Sequence, residues 1–218
     1  MLIITLYVYR RLELNSSKRR IGWLFRALYF SFITGPGALK VLDERLAYFQ
    51  RYVESIETRF PSSETRLIGH SVGSYLALMI SAQLTGRDSK IPFKLVTLGQ
   101  SPVFWLCLSS QKKSIHSLLV SLSSTSLAWL DVVSSDDWMS FSGIELSDYL
   151  EHDRSDFPTQ LNLDLAASAG LSKIPRVLLN HQFKLHFQYF RCGSTPSSLA
   201  AWLPLPLLAI NDASENSL

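Results

Sequence analysis

An α/β fold with a small, mostly parallel sheet flanked by helices is what this sequence predicts, and three observations predict it. Short apolar runs of strand length end in glycine or in polar clusters: Arg66–Gly69, Ile91–Leu98 and Leu127–Val133. Stretches of helical length and periodicity stand between and before them. One of the strands passes directly into a helical pattern through Gly69-His70-Ser71-Val72-Gly73. Strands alternating with helices build parallel sheets, and in such sheets chemistry gathers at the carboxyl ends of the strands.

The elements follow in order. Between Val41 and Phe60, the residues Leu42, Leu46, Phe49, Val53, Ile56 and Phe60 recur at steps of four and three, which predicts an amphipathic helix with these residues on its buried face. Asp43, Glu44, Arg45, Arg51, Glu54 and Glu57 fall on the remaining surface, and Pro61 stops the helix. The strand at 66–69 leads to a helix at about 73–85, closed by Gly86. The strand 91–98 ends at Gly99-Gln100, a helix over 113–122 follows, and the strand 127–133 runs into Ser134-Ser135-Asp136-Asp137. From Phe141 to Ala169 the chain is polar and reads as irregular; 174–190 is again apolar with embedded polar groups.

The first 40 residues differ in character, and they are separated here from a domain over 41–210 and a disordered tail over 211–218. Met1–Tyr9 is apolar and is followed by Arg10-Arg11, but nine residues are too few to span a bilayer. It has neither a basic start nor a small-residue cleavage site, so it is not expected to be an ordinary cleavable signal peptide; it reads as a buried strand or as the end of a longer hydrophobic segment. Residues 21–34 are apolar nearly all round, the mark of deep burial or of a membrane interface. The cations Arg10, Arg11, Lys18, Arg19, Arg20 and Arg26 lie beside them. A basic cluster against apolar sequence suits an anionic membrane surface better than nucleic acid, and equally suits a solvated face. The expectation is peripheral membrane contact through residues 1–37, with a cytoplasmic protein or one peripheral to the inner or plasma membrane.

Composition sets the outer limits. With 218 residues, 47 % of them hydrophobic, the chain can bury a sizeable core. Only 18 % are charged and the net charge is +3, which argues against a nucleic-acid partner and for a surface that meets lipid or another subunit. Cys107 and Cys192 imply no disulfide framework and have no metal-ligand spacing. No metal or cofactor signature is present, so none is expected.

The segment 66–77 carries the chemistry. Gly-x-Ser-x-Gly gains meaning when a strand precedes it and a helix follows, because the sharp turn between them lifts the serine hydroxyl clear of the sheet edge. Here Ser71 is the candidate nucleophile, and the Val72 N–H at the start of the helix points where an oxyanion would develop. Gly69 and Gly73 are expected to let strand and helix approach closely. A serine hydroxyl needs a base, usually His, and the His needs a carboxylate to orient it. His70 adjoins the serine and is expected to point elsewhere, into local packing. His116 precedes the acid candidates, and His152 lies in polar sequence. His186, among bulky neighbours in Leu-His-Phe-Gln-Tyr-Phe, is the preferred base, with His181 the alternative. Asp137 is the preferred acid, just past the third strand, with Asp136 the alternative; Trp138 and Phe141 would shield it from water. Asp131, inside the strand, reads as outward-facing or as bonded to backbone N–H.

Taken together, Gly-His-Ser-Val-Gly, Val-Thr-Leu-Gly-Gln, Ser-Ser-Asp-Asp-Trp and Lys-Leu-His-Phe-Gln-Tyr resemble the serine α/β-hydrolases. The resemblance is closest to the class 3 lipase-like branch and its poorly characterised bacterial hydrolase-like proteins, and it covers roughly 41–190. It implies a partial α/β-hydrolase fold, with Ser71 as nucleophile, Asp137 as orienting acid and His186 as base. It also implies a serine ester hydrolase acting through an acyl-enzyme on an apolar or lipid ester. Transfer to another acceptor would use the same acyl-enzyme. One departure counts against activity. Only 70 residues precede Ser71, mostly helical in pattern, and no Gly-rich loop supplies a second oxyanion donor. The chain is therefore expected to be N-terminally truncated relative to that family. The competing expectation is a catalytically impaired or non-enzymatic hydrolase-like protein associated with membranes.

Overall fold

The computed structural model describes residues 26, 29, 30, 40–60, 65–86, 93–99, 112–142, 158–164, 182 and 185–190. The chain divides into two units, Met1–Lys40 and Val41–Leu218. Of the first, Arg26, Tyr29 and Phe30 are helical. The expected strand at 1–9, the rest of the apolar segment 21–34 and the tail 211–218 lie outside the described residues. Among the described residues no helix is long and apolar enough to cross a membrane.

The larger unit is an α/β arrangement. Helix α1 is Lys40–Arg59. Strand β1, Thr65–His70, leads through Ser71 into helix α2, Val72–Thr85. Strand β2, Phe93–Leu98, precedes helix α3, Lys112–Ser123, and strand β3, Ala128–Val133. A 3-10 turn at Trp138–Ser140 and a short strand β4, Thr159–Asn162, follow. A second 3-10 turn at Gln188–Phe190 ends the described chain. The four strands pair in the order β1-β2-β3-β4, and all three pairings are parallel.

That order decides the layers. When successive parallel strands step in one direction, right-handed crossovers deliver their helices to the same face. Accordingly α2 and α3 pack against each other. Their Tyr75, Leu78, Leu84, Ile115, Leu119 and Leu122 form one core with Leu95 and Trp129 of the sheet and Leu46 and Val53 of α1. The alternate strand residues, Val96, Leu98, Leu130 and Val132, turn to the other face. There they meet Leu163, Leu185 and Tyr189, so the chain around His186 is held by apolar contact with the sheet.

Helix α1 corrects the expected buried face. Leu46 and Val53 are buried, but Phe49 is 52 % and Phe60 is 60 % exposed. The buried stripe runs instead through Leu46, Gln50, Val53 and Glu57. Both sets fit a helical repeat, and satisfied polar groups decide between them. Glu57 accepts a hydrogen bond from Thr65 at the start of β1, and Gln50 Nε2 donates to Glu54 Oε1 at 2.9 Å. Strand β4 falls within the stretch that reads as irregular. Its four residues, Thr-Gln-Leu-Asn, bring only Leu161 to the core and carry too little periodicity to be recognised.

The two glycines of the turn have different roles. A Cβ on Gly69 would lie 2.5 Å from Gly73 O and 2.7 Å from Ser74 Cα, so β1 and α2 touch only because Gly69 has no side chain. A Cβ on Gly73 would meet nothing within 4 Å, which corrects the expectation that both are required for close approach. Gly69→Ala is expected to destabilise the fold by about 1–3 kcal/mol or more through overpacking against backbone. Gly73→Ala is expected to fold with a thermal midpoint at or above that of the parent, since alanine favours a helical turn by about 1 kcal/mol. Thermal unfolding of the two variants checks both.

Candidate active site

The carboxyl ends of β1, β2 and β3 bring three loops together. At the first, Ser71 has φ 55° and ψ −125°, in a region that side-chain-bearing residues avoid. Its surroundings hold it there. Ser71 N–H extends the ladder to Leu98 O at 2.9 Å, and Ser74 N–H donates back to Ser71 O at 2.9 Å. Ser74 Oγ donates to Gly69 O at 3.1 Å. The turn thus places Ser71 between the last residue of the strand and the first amide of α2, that of Val72, where the helix N-terminus favours negative charge. Ser71 is 8 % exposed.

At the third loop Asp137 begins the 3-10 turn. Its Oδ1 accepts from Met139 N–H at 3.0 Å and its Oδ2 meets His186 Nδ1 at 2.7 Å. Ser140 fastens the loop, its Oγ lying 2.9 Å from Ser134 O and 2.7 Å from Asp137 O. Asp137 and His186 are fully or almost fully buried. With the carboxylate on Nδ1, the neutral ring carries its proton there and leaves Nε2 as the acceptor.

Between these loops, β2 ends at Gly99. Its φ of +54° is one reason for glycine; the other is that a Cβ would lie 2.8 Å from the Tyr189 ring and 3.4 Å from His186 Cε1. Tyr189 and His186 therefore rest over the end of β2. Burial, with the Asp137 charge acting in the same direction, raises the Tyr189 pKa well above its ordinary value, so the phenol stays neutral.

His70 does not point away, as the sequence reading expects. Its Nε2–H donates to His186 O at 2.7 Å, and the two rings lie 4.7 Å apart. The rings of Phe187 and Tyr189 lie 5.4 and 5.8 Å from it. Burial foremost, and then the neighbouring His186, lower its pKa to about 4. His70, at the end of β1 and directly before Ser71, therefore ties the His186 segment to the serine turn. No sequence signal separates this role from ordinary packing.

Of the other candidates, Asp136 is buried in the turn before Asp137, its N–H donating to Ser134 Oγ at 3.2 Å. Trp138 is 58 % exposed and does not shield Asp137; Phe141 packs against the helix-side core. Tyr189 is buried, its ring centroid 6.5 Å from that of His186. His181, His152 and Gln100 lie outside the described residues. Asp131 is fully buried rather than outward-facing. Thr97 Oγ1 donates to its Oδ1 at 2.6 Å and Gln160 Nε2 to its Oδ2 at 3.2 Å, while Trp129 Nε1–H donates to Thr97 Oγ1 at 2.9 Å. Trp129 and Asp131, two apart on β3, share one face, and a single polar chain joins β2, β3 and β4 beneath the helices. Burial raises the Asp131 pKa to about 6 against the opposing pull of these hydrogen bonds. Among the described residues no group of three or more His, Cys, Asp or Glu is placed to hold a metal ion.

No family model matches the chain, and no curated protein or solved structure matches it either.

The two shifted groups act on stability in opposite directions over one pH range. Asp131 holds its proton more tightly folded than unfolded, so its contribution is full near pH 4 and is lost as pH rises through 6. His70 resists protonation when folded, so its contribution is full above pH 6.5 and is lost as pH falls toward 4. Each amounts to about 3 kcal/mol, and the two contributions nearly cancel over pH 4 to 6. Asp131→Asn is expected to give a stability that rises with pH from 4 to 6.5, and His70→Gln one that falls. Urea unfolding at several pH values checks the two slopes.

Proposed function

We propose that this protein is a serine ester hydrolase working through an acyl-enzyme on apolar esters. The observation that carries the proposal is the buried Asp137–His186 pair, 2.7 Å apart, beside a strained serine turn at the same end of the sheet. Ser71 Oγ attacks the ester carbonyl and passes its proton to His186 Nε2. Val72 N–H receives the developing oxyanion at the start of α2. The tetrahedral intermediate collapses, the alcohol leaves with the proton from His186, and the acyl group stays on Ser71. Water, deprotonated by His186, then releases the acid. Asp137 keeps the imidazole in the required tautomer and stabilises its charged form. His70 is a positioning residue. It bonds to the His186 carbonyl and, neutral above pH 4, adds no charge beside the base. The strain at Ser71 supports the same reading, because such backbone persists only where its surroundings enforce it.

A second reading, a hydrolase-like protein without turnover, is favoured by one observation. Among the described residues β1, the strand that carries the serine, is an edge strand of the sheet. Among the described residues no neighbouring strand on that flank of the serine turn offers a second oxyanion donor. A single donor, Val72 N–H, predicts turnover about 100- to 1,000-fold below that of a site with two.

A fluorophosphonate probe separates the readings. The parent chain is expected to label once, and Ser71→Ala is expected to abolish labelling while keeping the fold. Labelling of Ser71→Ala equal to the parent, or a parent that does not label, would sink the catalytic reading. Asp137→Asn is expected to lower kcat on a short-chain chromogenic ester by about 10,000-fold, as loss of the orienting acid does in a serine triad. His70→Phe, which removes only the donor from a similar ring, is expected to lower kcat about tenfold with KM unchanged, and His70→Gln to restore most of it.

A further inference from the structure

We propose that the outer face of α1 is a docking surface for an anionic lipid membrane, which it meets lying flat. Tyr48, Phe49 and Tyr52 are 56 %, 52 % and 53 % exposed. They are large apolar groups that a helix ordinarily turns inward, and the buried stripe of Leu46, Gln50, Val53 and Glu57 lies about a third of a turn round the helix from them. Arg45, Tyr48, Phe49, Tyr52, Ile56 and Arg59 recur at steps of three and four, so they form one continuous stripe about 21 Å long. Tyr48 and Phe49 meet edge to face, with ring centroids 6.3 Å apart.

Charge identifies the occupant. The described part of α1 exposes three arginines, Arg45, Arg51 and Arg59, against one acid, Glu44. Asp43 and Glu54 are half-buried and Glu57 is buried, so the acids lie toward the body of the protein and the cations lie outward. Arg45 and Arg59 stand within the aromatic stripe near its two ends, with Arg51 and Glu44 along one border. A second copy of this face would bring arginine stripe to arginine stripe with only Glu44 to receive them, so self-association through it is disfavoured. A membrane interface fits instead. Tyrosine and phenylalanine rings settle at the level of the headgroups, where an apolar body and a polar tip are both accommodated. Arginine stems bury alongside them while the guanidinium groups reach lipid phosphates. The surface lies within the described helix and does not depend on the chemistry at Ser71.

The test is co-flotation of the full chain with phosphatidylcholine vesicles, with and without phosphatidylglycerol. The parent is expected to float with the anionic vesicles, less so as salt is raised. Tyr48→Ser/Phe49→Ser/Tyr52→Ser is expected to abolish flotation. Arg45→Gln/Arg59→Gln is expected to lower the partition coefficient about fivefold for each arginine removed. The second variant keeps every ring and carries the test if the first does not fold. Both sets of changes leave the groups at Ser71 intact, so fluorophosphonate labelling reports on the proposed hydrolase separately. Three outcomes would overturn the proposal: a parent that stays in solution with anionic vesicles, variants that float like the parent, or a parent dimer that the aromatic changes dissociate.

Discussion

The 2.7 Å contact between Asp137 Oδ2 and His186 Nδ1 joins parts of the chain 49 residues apart, and the site's geometry depends on it. A carboxylate this deeply buried is costly unless its lone pairs are used. One oxygen takes the imidazole N–H and the other takes the Met139 amide. Each partner is fixed by its own surroundings. Asp137 is held by the Ser134–Ser140 bonds of its loop. His186 is held by Leu185 and Tyr189 against the sheet and by His70 through its carbonyl. Gly99 makes room for the Tyr189 ring, which a Cβ there would approach to 2.8 Å.

Strain at Ser71 is the counterpart of that bond. A positive φ at a non-glycine residue costs on the order of 1–3 kcal/mol and must be enforced by the rest of the fold. The enforcement comes from the ladder bond to Leu98, the turn bond from Ser74 and the missing Cβ of Gly69. These lie on β1, β2 and α2, so the helix-side core that seats α2 also sets the serine. The helix amide at Val72 and the Asp137–His186 pair then lie at the same end of the sheet, which is the arrangement the proposed acyl transfer requires.

Buried polar groups are distributed with consequences for folding as well as for the site. His70 stays neutral because burial lowers its pKa to about 4, and Asp131 keeps its proton up to about pH 6 because burial raises its pKa. The first braces the serine turn against His186; the second ties three strands together below it. Polar chains of this kind are favourable only when their members are bonded, which makes Thr97, Trp129 and Gln160 part of the sheet's architecture.

Local pattern determined much of this protein. The alternation of strand and helix from Thr65 to Val133 follows from apolar periodicity and glycine punctuation, and the element ends agree to within a residue or two. The serine turn is legible because strand, Gly-x-Ser-x-Gly and helix are contiguous. Chain order and apolar context point to His186 and Asp137, but their contact is a property of the sheet's order, which no local pattern contains. The face that α1 buries could not be read either. Phe49 and Gln50 are adjacent and both fit the helical repeat, and the choice rests on partners such as Thr65 that only folding brings near. The same holds for His70, whose neighbour in sequence is Ser71 but whose hydrogen bond is to His186, 116 positions away. Tertiary structure decided these points because a side chain's role is set by the groups that meet it, and those arrive from other strands.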